Sequence, residues 1–307
     1  MLLERMVAEL HLPTEYILKT ARSASHHYKS YEIPKKAGGH RTIHHPSREL
    51  KGLQRWLLRH VIDGLPVDEH AYAYRTGRTI ADNARCHVNS KYLVRMDFAD
   101  FFPSITAQDI KYCITRNPGY FPGWTSLDVE IFCQLVCRRE RLTIGAPTSP
   151  SLSNVLCREL DVRLARLADD HDSVYTRYAD DLFFSSKGPN VLGDLETLVR
   201  TEIESLKCPA ALRINAGKTR HFSKRGRRCV TGIVLGSDGK IYVGRRLKRM
   251  IRSLVYKIEE LNNDRRARLA GYIGYCQAID PDFVNSLVIK FGREKLGLVR
   301  FPSSRLI

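Results

Sequence analysis

A chain of 307 residues is long enough for one large domain or for two to three packed subdomains, each with its own core. Fifty Lys and Arg against 33 Asp and Glu leave a formal charge of +17, more than solubility requires, which points to nucleic acid as the partner. No run of about 18 apolar residues is present, and the opening Met1-Leu2-Leu3-Glu4-Arg5 lacks an apolar signal core, so no membrane association and a cytoplasmic location are expected.

Apolar spacing predicts two short helices over residues 2 to 23, separated at Pro13. Tyr31 to His45 reads as strand, turn and strand, with a Gly-rich basic tip from Lys35 to His40. Leu50 to Ile62 has helical spacing, and Tyr72 to Ala84 passes through Gly77 into a helix that places Asn83 and His87 on one face. Tyr92-Leu93-Val94-Arg95-Met96-Asp97 is a mostly apolar strand closing on a carboxylate, and Pro103 to Thr106 opens a helix. Further helices are predicted over 127–140 and 151–168, with the breaker run Gly145 to Pro150 between them.

Val174 to Arg177 and Leu182 to Ser185 form a β-hairpin with Tyr178-Ala179-Asp180-Asp181 at its tip. Ala168-Asp169-Asp170 repeats the Ala-Asp-Asp tripeptide at a helix end with no strand after it, and there a solvated turn suffices. A helix over 191–206, a strand over 212–215, a turn at Ala216-Gly217-Lys218 and a hairpin around Ser237-Asp238-Gly239 come next. Leu247, Met250, Ile251, Leu254, Val255, Ile258 and Leu261 then follow a helical period that leaves Lys248, Arg249 and Arg252 on the opposite face. Helices over about 265–279 and 281–291 complete the pattern. Arg213 to Arg252 carries 13 Lys/Arg and a single acid, Asp238, a strip suited to a phosphate backbone. The eight cysteines include no Cys-x-x-Cys pair, and Cys133 and Cys137 read as core thiols.

Asp97 at a strand end and Asp180-Asp181 at a hairpin tip call for a joint explanation. Adjacent strands would bring three carboxylates together, and divalent cations would relieve their repulsion. Mg²⁺ fits, because it takes one or two carboxylates beside water and substrate phosphates. Two ions about 3.5–4 Å apart suit in-line phosphoryl displacement, and with the basic surface the reaction class is nucleotidyl transfer.

Tyr178-Ala179-Asp180-Asp181 on its hairpin, Asp97 with Phe101-Phe102 beyond it, Ala146 to Pro150 followed by Leu152-Ser153-Asn154, and Asn215 with Lys218-Thr219 resemble the ordered motifs of reverse transcriptases over about residues 30 to 300. Asn83-Ala84-Arg85-Cys86-His87 and Val230-Thr231-Gly232 further resemble the Asn-Ala-x-x-His and Val-Thr-Gly motifs of retron enzymes. The resemblance implies an α+β right-hand polymerase, with fingers, a palm built on an antiparallel sheet, and a helical thumb. Residues 1–90 would hold N-terminal helices and fingers, 91–235 the palm with inserted fingers helices, and 236–307 the thumb and C-terminal RNA-binding region.

The resemblance also implies roles. Asp97, Asp180 and Asp181 would hold two Mg²⁺ ions with the Phe98 carbonyl. Phe102 would be the gate against a ribose 2′-hydroxyl, and Arg41 with Lys35 or Lys36 would bind the triphosphate. Asp100 and Phe101 would add backbone donors, and Lys218 would protonate pyrophosphate. Asn83, His87, Val230, Thr231 and Gly232 would help define RNA specificity, and the helix with Arg245, Arg246 and Arg249 would meet the duplex. Ile144 stands where related enzymes usually have Gln, so no side-chain hydrogen bond comes from that position.

The implied activity is RNA-directed DNA polymerisation from deoxynucleoside triphosphates. The enzyme would copy part of its own structured noncoding RNA into branched multicopy single-stranded DNA (msDNA), primed from a guanosine 2′-hydroxyl, in antiphage defence with a separate effector protein. The alternatives are a group II intron-type reverse transcriptase and a noncatalytic RNA-binding protein on a polymerase scaffold. Retention of three mutually repelling carboxylates and Phe102 argues against the second.

Overall fold

The computed structural model describes residues 1–35 and 38–299. The chain opens with α1 (Leu2–Leu10) and α2 (Thr14–Ser23). Next come the paired strands β1 (Tyr28–Pro34) and β2 (His40–Pro46), antiparallel from Tyr28 opposite Pro46 to Pro34 opposite His40. α3 (Arg48–His60) is capped by Ser47, and α4 (Ile80–His87) precedes β3 (Tyr92–Asp97). A single helical turn, α5 (Phe101–Ser104), leads to α6 (Ala107–Arg116) and α7 (Ser126–Val136).

Three of these helices begin with the same device. Thr79 with Asp82, Thr106 with Asp109 and Thr125 with Asp128 form capping boxes on α4, α6 and α7, satisfying end N–H groups that would otherwise lack partners. Asp109 and Asp128 have second tasks: Asp128 accepts from the Leu3 N–H at 2.8 Å and Asp109 from that of Ala210 at 3.1 Å. The helix expected to open at Pro103 therefore starts four residues later, behind its Thr106 cap.

α8 (Ser149–Leu156) and α9 (Arg158–Asp169) replace the one helix expected over 151–168. The apolar period continues across the break at Cys157, so it is invisible in the pattern. The hairpin follows as β4 (Ser173–Tyr178) and β5 (Asp181–Ser186), then α10 (Val191–Glu204). β6 (Arg220–Ser223) completes a four-stranded sheet ordered β4-β5-β3-β6. The segment expected as a strand over 212–215 makes only an isolated bridge, Ile214 to Phe98, because the helical turn Ala216–Lys218 ends its extended run.

A small sheet of β7 (Cys229–Val230), β8 (Ile233–Leu235) and β9 (Ile241–Tyr242) precedes α11 (Arg245–Tyr256), α12 (Asn263–Ile279), α13 (Pro281–Phe291) and α14 (Arg293–Gly297). α11 ends at Tyr256 and a 3-10 turn carries Ile258, so the expected single helix to Leu261 is shorter. Among the described residues no helix is long and apolar enough to cross a membrane.

The chain divides into two compact units. The first comprises Met1–Gly77, Val94–Phe184 and Asn190–Arg220. Val94, Met96, Leu182, Phe183 and Phe184 of its central strands are all buried, and α9 and α10 pack together with β4 on α9. The second comprises Arg78–Leu93, Ser185–Pro189 and the chain from His221 onward. In it α4 packs on the small sheet, and Ile251, Val255, Leu269, Ile273, Phe283 and Leu287 form a helical core.

Candidate active site

Within the first unit, the end of β3 meets the tip of the β4–β5 hairpin. The Phe98 N–H donates to the Asp180 carbonyl at 3.0 Å, while the Asn215 N–H donates to the Asp97 carbonyl at 2.8 Å. Asp97 thus lies between the hairpin tip and the segment leading to Lys218. The turn is tight, with Ala179 in the left-handed region at φ 58°.

Each acidic side chain has a different environment. Asp97 is 5% exposed, and its Oδ1 accepts from Lys218 Nζ at 2.6 Å. Asp180 is held above the usual carboxylate range by burial and by the charge of Asp97. Asp181 is pushed up to about 6 by burial, against the opposing pull of Arg95. The Arg95 guanidinium grips it with two bonds, Nε to Oδ1 at 2.9 Å and Nη2 to Oδ2 at 3.0 Å.

Among the described residues no group of three or more His, Cys, Asp or Glu is gathered around one point. Lys218 is bonded to Asp97 and Arg95 to Asp181. The donor set still suits a hard divalent cation: it consists of carboxylate oxygens, burial and mutual repulsion destabilise their charges, and a cation already sits against Asp97.

Of the three carboxylates Asp180 borders a cavity of about 500 Å³, lined also by Lys35, Arg41, Tyr74, Phe98, Asp100, Phe101, Phe102, Ile144 and Lys218 among others. Lys35, Arg41, Asp100, Phe101 and Phe102 are thereby brought together. Lys36 lies outside the described residues. Phe102 rests against Phe101 with ring centroids 5.3 Å apart, and Phe101 stacks on buried Phe98 at 5.6 Å. Ile144 enters the wall through its backbone as well: its carbonyl accepts from the His44 N–H at 2.8 Å. Next to it, Gly145 has φ 113°, and a Cβ there would come 2.5 Å from the His44 carbonyl oxygen, so this approach of strand and loop excludes any side chain.

Sequence reasoning missed what holds the hairpin. Arg177, wholly buried, gives Nε and Nη2 to the two Asp161 oxygens at 2.7 and 2.6 Å, and Nη1 to Asn154 Oδ1 at 3.0 Å and the Ala179 carbonyl at 3.2 Å. Tyr175 Oη also donates to Asp161 Oδ1, at 2.8 Å. The sequence signal was an Arg beside the Tyr-Ala-Asp-Asp run, but nothing local distinguishes a buried Arg from an exposed one.

The reverse transcriptase (RNA-dependent DNA polymerase) family profile matches residues 33–258. Retron Ec83 reverse transcriptase of Escherichia coli is 32% identical over 291 residues, spanning 92% of this chain and 93% of that protein. Retron Ec73 reverse transcriptase of the same species is 36% identical over 280 residues, 87% of each chain. This chain belongs to the retron-type reverse transcriptases. It is an RNA-directed DNA polymerase. Among solved structures, a Candida albicans telomerase in complex with a TWJ fragment of telomeric RNA aligns at TM-score 0.51 and 10% identity, covering 89% of this chain and 59% of that one. Less than two thirds of the telomerase chain is therefore spanned, and the likeness speaks to fold: an α+β right-hand polymerase.

The two retron motifs of this reverse transcriptase lie together in its second unit. Val230 pairs with Ile233, leaving Thr231 and Gly232 as a two-residue hairpin turn with φ 47° and 88°, the all-positive pattern of a type I′ turn. α4 packs beneath it, and Thr231 Oγ1 donates to the Ile80 carbonyl at 3.5 Å. Asn83, His87 and Val230, expected to help define RNA specificity, are wholly buried. His87 Nδ1 lies 2.7 Å from Ser185 Oγ, which donates to Ser90 Oγ at 2.9 Å. Burial pushes the imidazole down to about 3, so it is neutral. Arg228, also buried, donates to the carbonyls of Ser90 and Gly236. The turn reaches solvent, with Thr231 half-buried and Gly232 exposed, and on α4 Arg85 is exposed as well.

On α11, Arg245, Arg246 and Arg249 are exposed as expected. Lys248 is not on that face: it pairs with buried Asp280 at 2.5 Å and lies over the Tyr242 and Phe283 rings. An unpaired Asp280 would be costly to bury, and Lys248 neutralises it. Arg252 likewise lies over the Phe283 ring, 5.2 Å from its centroid.

Proposed function

We propose that this reverse transcriptase acts in a retron, copying part of its own structured noncoding RNA into branched msDNA from a guanosine 2′-hydroxyl. The observation that carries the polymerase site is the junction of Asp97 and Asp180 at the mouth of a cavity walled by Arg41 and Phe102. Support for the retron context comes from the relatives, which span most of the chain. Deoxynucleoside triphosphates are the substrates, the setting is the cytoplasm, and a separate effector protein couples the product to antiphage defence. In this reading residues 1–90 supply N-terminal helices and fingers, 91–235 the palm, and 236–307 the thumb and RNA-binding region.

Asp97, Asp180 and Asp181 would hold divalent metal, two Mg²⁺ ions, with the Phe98 carbonyl, and the chemistry supplied at that site would be neutralisation of phosphate charge and a lowered pKa for the attacking hydroxyl. Arg41 and Lys35 orient the triphosphate by charge-assisted hydrogen bonds, and the Asp100 and Phe101 backbone adds donors. The primer hydroxyl gives its proton to solvent, its oxygen forms a bond to the α-phosphorus as the bond to pyrophosphate breaks, and Lys218 gives a proton to the leaving oxygen. Phe102 occupies the space a 2′-hydroxyl would need. Asn83, His87 and Val230 act on RNA through the Thr231-Gly232 turn they support, while Arg245, Arg246 and Arg249 contact phosphates.

The test is the nucleic acid that copurifies with the protein. A species sensitive to both RNase and DNase and resolved by a debranching enzyme is expected. A linear product in cells making active enzyme removes the retron reading and leaves the polymerase.

A further inference from the structure

The aromatic row of the cavity does not stop at Phe102. Tyr74 lines the same cavity, its ring centroid 6.4 Å from that of Phe102 at an interplanar angle of 41°. Its backbone is in the left-handed region at φ 59°, which a bulky residue seldom adopts and which persists only where the surroundings impose it.

Here they do. The Tyr72 N–H donates to the Arg177 carbonyl at 2.8 Å, the Arg177 N–H to the His70 carbonyl at 2.8 Å, and Asn154 Nδ2 to the Ala73 carbonyl at 2.8 Å. Arg75 Nη1 closes the segment on the Asp68 and Ala71 carbonyls at 2.7 and 3.2 Å. Arg177 and Asn154, which hold the backbone leading to this strained residue, are bonded to each other, and the same Arg177 Nη1 donates to the Ala179 carbonyl beside Asp180. Tyr74 and the catalytic hairpin therefore share one buried support. The hydroxyl makes no hydrogen bond among the described residues, although burial and nearby Asp180 keep it protonated.

We propose that Tyr74 is a positioning residue for sugar selection: its ring braces Phe102 and thereby sets how closely the gate approaches the nucleotide 2′ position. This rests on the reading of Phe102 as gate. A phenylalanine ring backed only by Phe101 could turn away from a ribose, and a second ring, anchored through a backbone with no freedom to relax, opposes that movement. The hydroxyl plays no part in the bracing.

The experiment compares kcat/KM for dGTP and GTP in single-nucleotide addition to a primer on an RNA template. Tyr74→Ala is expected to lower the preference for deoxynucleotide on the order of tenfold, with Tyr74→Phe retaining it. Tyr74→Gly, which removes the ring and also relieves the left-handed backbone, is expected to match Tyr74→Ala and guards against a folding defect. Phe102→Val is the control. Relaxed selection in Phe102→Val with full selection in Tyr74→Gly overturns the brace and leaves the gate standing. Full selection in Phe102→Val removes the gate, and the brace with it.

Discussion

The Lys218 ammonium lies 2.6 Å from Asp97 Oδ1, although the lysine is more than half exposed and the aspartate is buried. A side chain that could reach solvent is drawn to a carboxylate at the end of β3, so the group proposed as proton source is also the counter-charge of Asp97. Lys218→Gln is expected to slow nucleotide addition by about 10²-fold or more with little change in RNA affinity. Single-turnover kinetics check this, and a rate within a few-fold of the unaltered enzyme would move the proton donor elsewhere.

Arg95 engages both Asp181 oxygens, so it would compete with a metal ion for them. Arg95→Met is expected to release it and lower the Mg²⁺ concentration needed for half-maximal extension severalfold. Asp181→Asn would abolish that gain. Magnesium titrations of primer extension decide the matter; an unchanged midpoint in Arg95→Met would show that the two do not compete.

Asp161 and Arg177 are wholly buried, and removing one partner strands the other charge. Asp161→Asn is expected to cost about 3–5 kcal/mol in stability. It should also loosen the hairpin, so that extension falls further than the folded fraction does. Denaturant unfolding alongside activity per folded molecule measures both, and equal losses would restrict the pair to stability.

His87 titrates at about 3 in the folded chain because burial disfavours its charge. Unfolded, it binds a proton near pH 6.5. Its contribution to stability is therefore complete above pH 6.5 and declines as pH falls toward 3, by at most about 1.4 kcal/mol per pH unit. Unfolding midpoints at several pH values are expected to fall more steeply in the unaltered protein than in His87→Gln. Parallel slopes would place the acid sensitivity at other groups.

Arg245, Arg246 and Arg249 stand exposed along α11, their charges free to meet a polyanion. Neutralising all three is expected to weaken RNA binding and flatten its salt dependence, by about 0.7–0.9 in log–log slope for each phosphate that is no longer neutralised. Binding isotherms at several salt concentrations give the slope directly; the same slope in the triple variant would put the phosphates on another face.

Much of the site was legible before any coordinates. Asp97 and Asp180 stand out because chemistry constrains their type and spacing, Phe102, Arg41 and Lys218 through the resemblance to reverse transcriptases, and the structure gathers all five at one cavity or its mouth. Alternation and turn residues likewise marked β1, β2, β4 and β5 closely. Lys36 stays an expectation outside the described residues.

Other features depended on partners far away in the chain. Asn83 and His87 share a helix face at any level of description, but whether that face meets solvent or β7 and β8 is decided by packing, and it meets the strands. Lys248 was assigned outward by its position on the period, and buried Asp280, 32 residues later, draws it in. Arg177 and Tyr74 carried no local mark, because burial and a left-handed backbone are consequences of assembly. The sequence by itself determined which groups are candidates for the chemistry, since those residue types admit few substitutes. Tertiary structure alone decided which of its many cations and aromatics support that chemistry, because a charge or a ring acquires its role from what surrounds it.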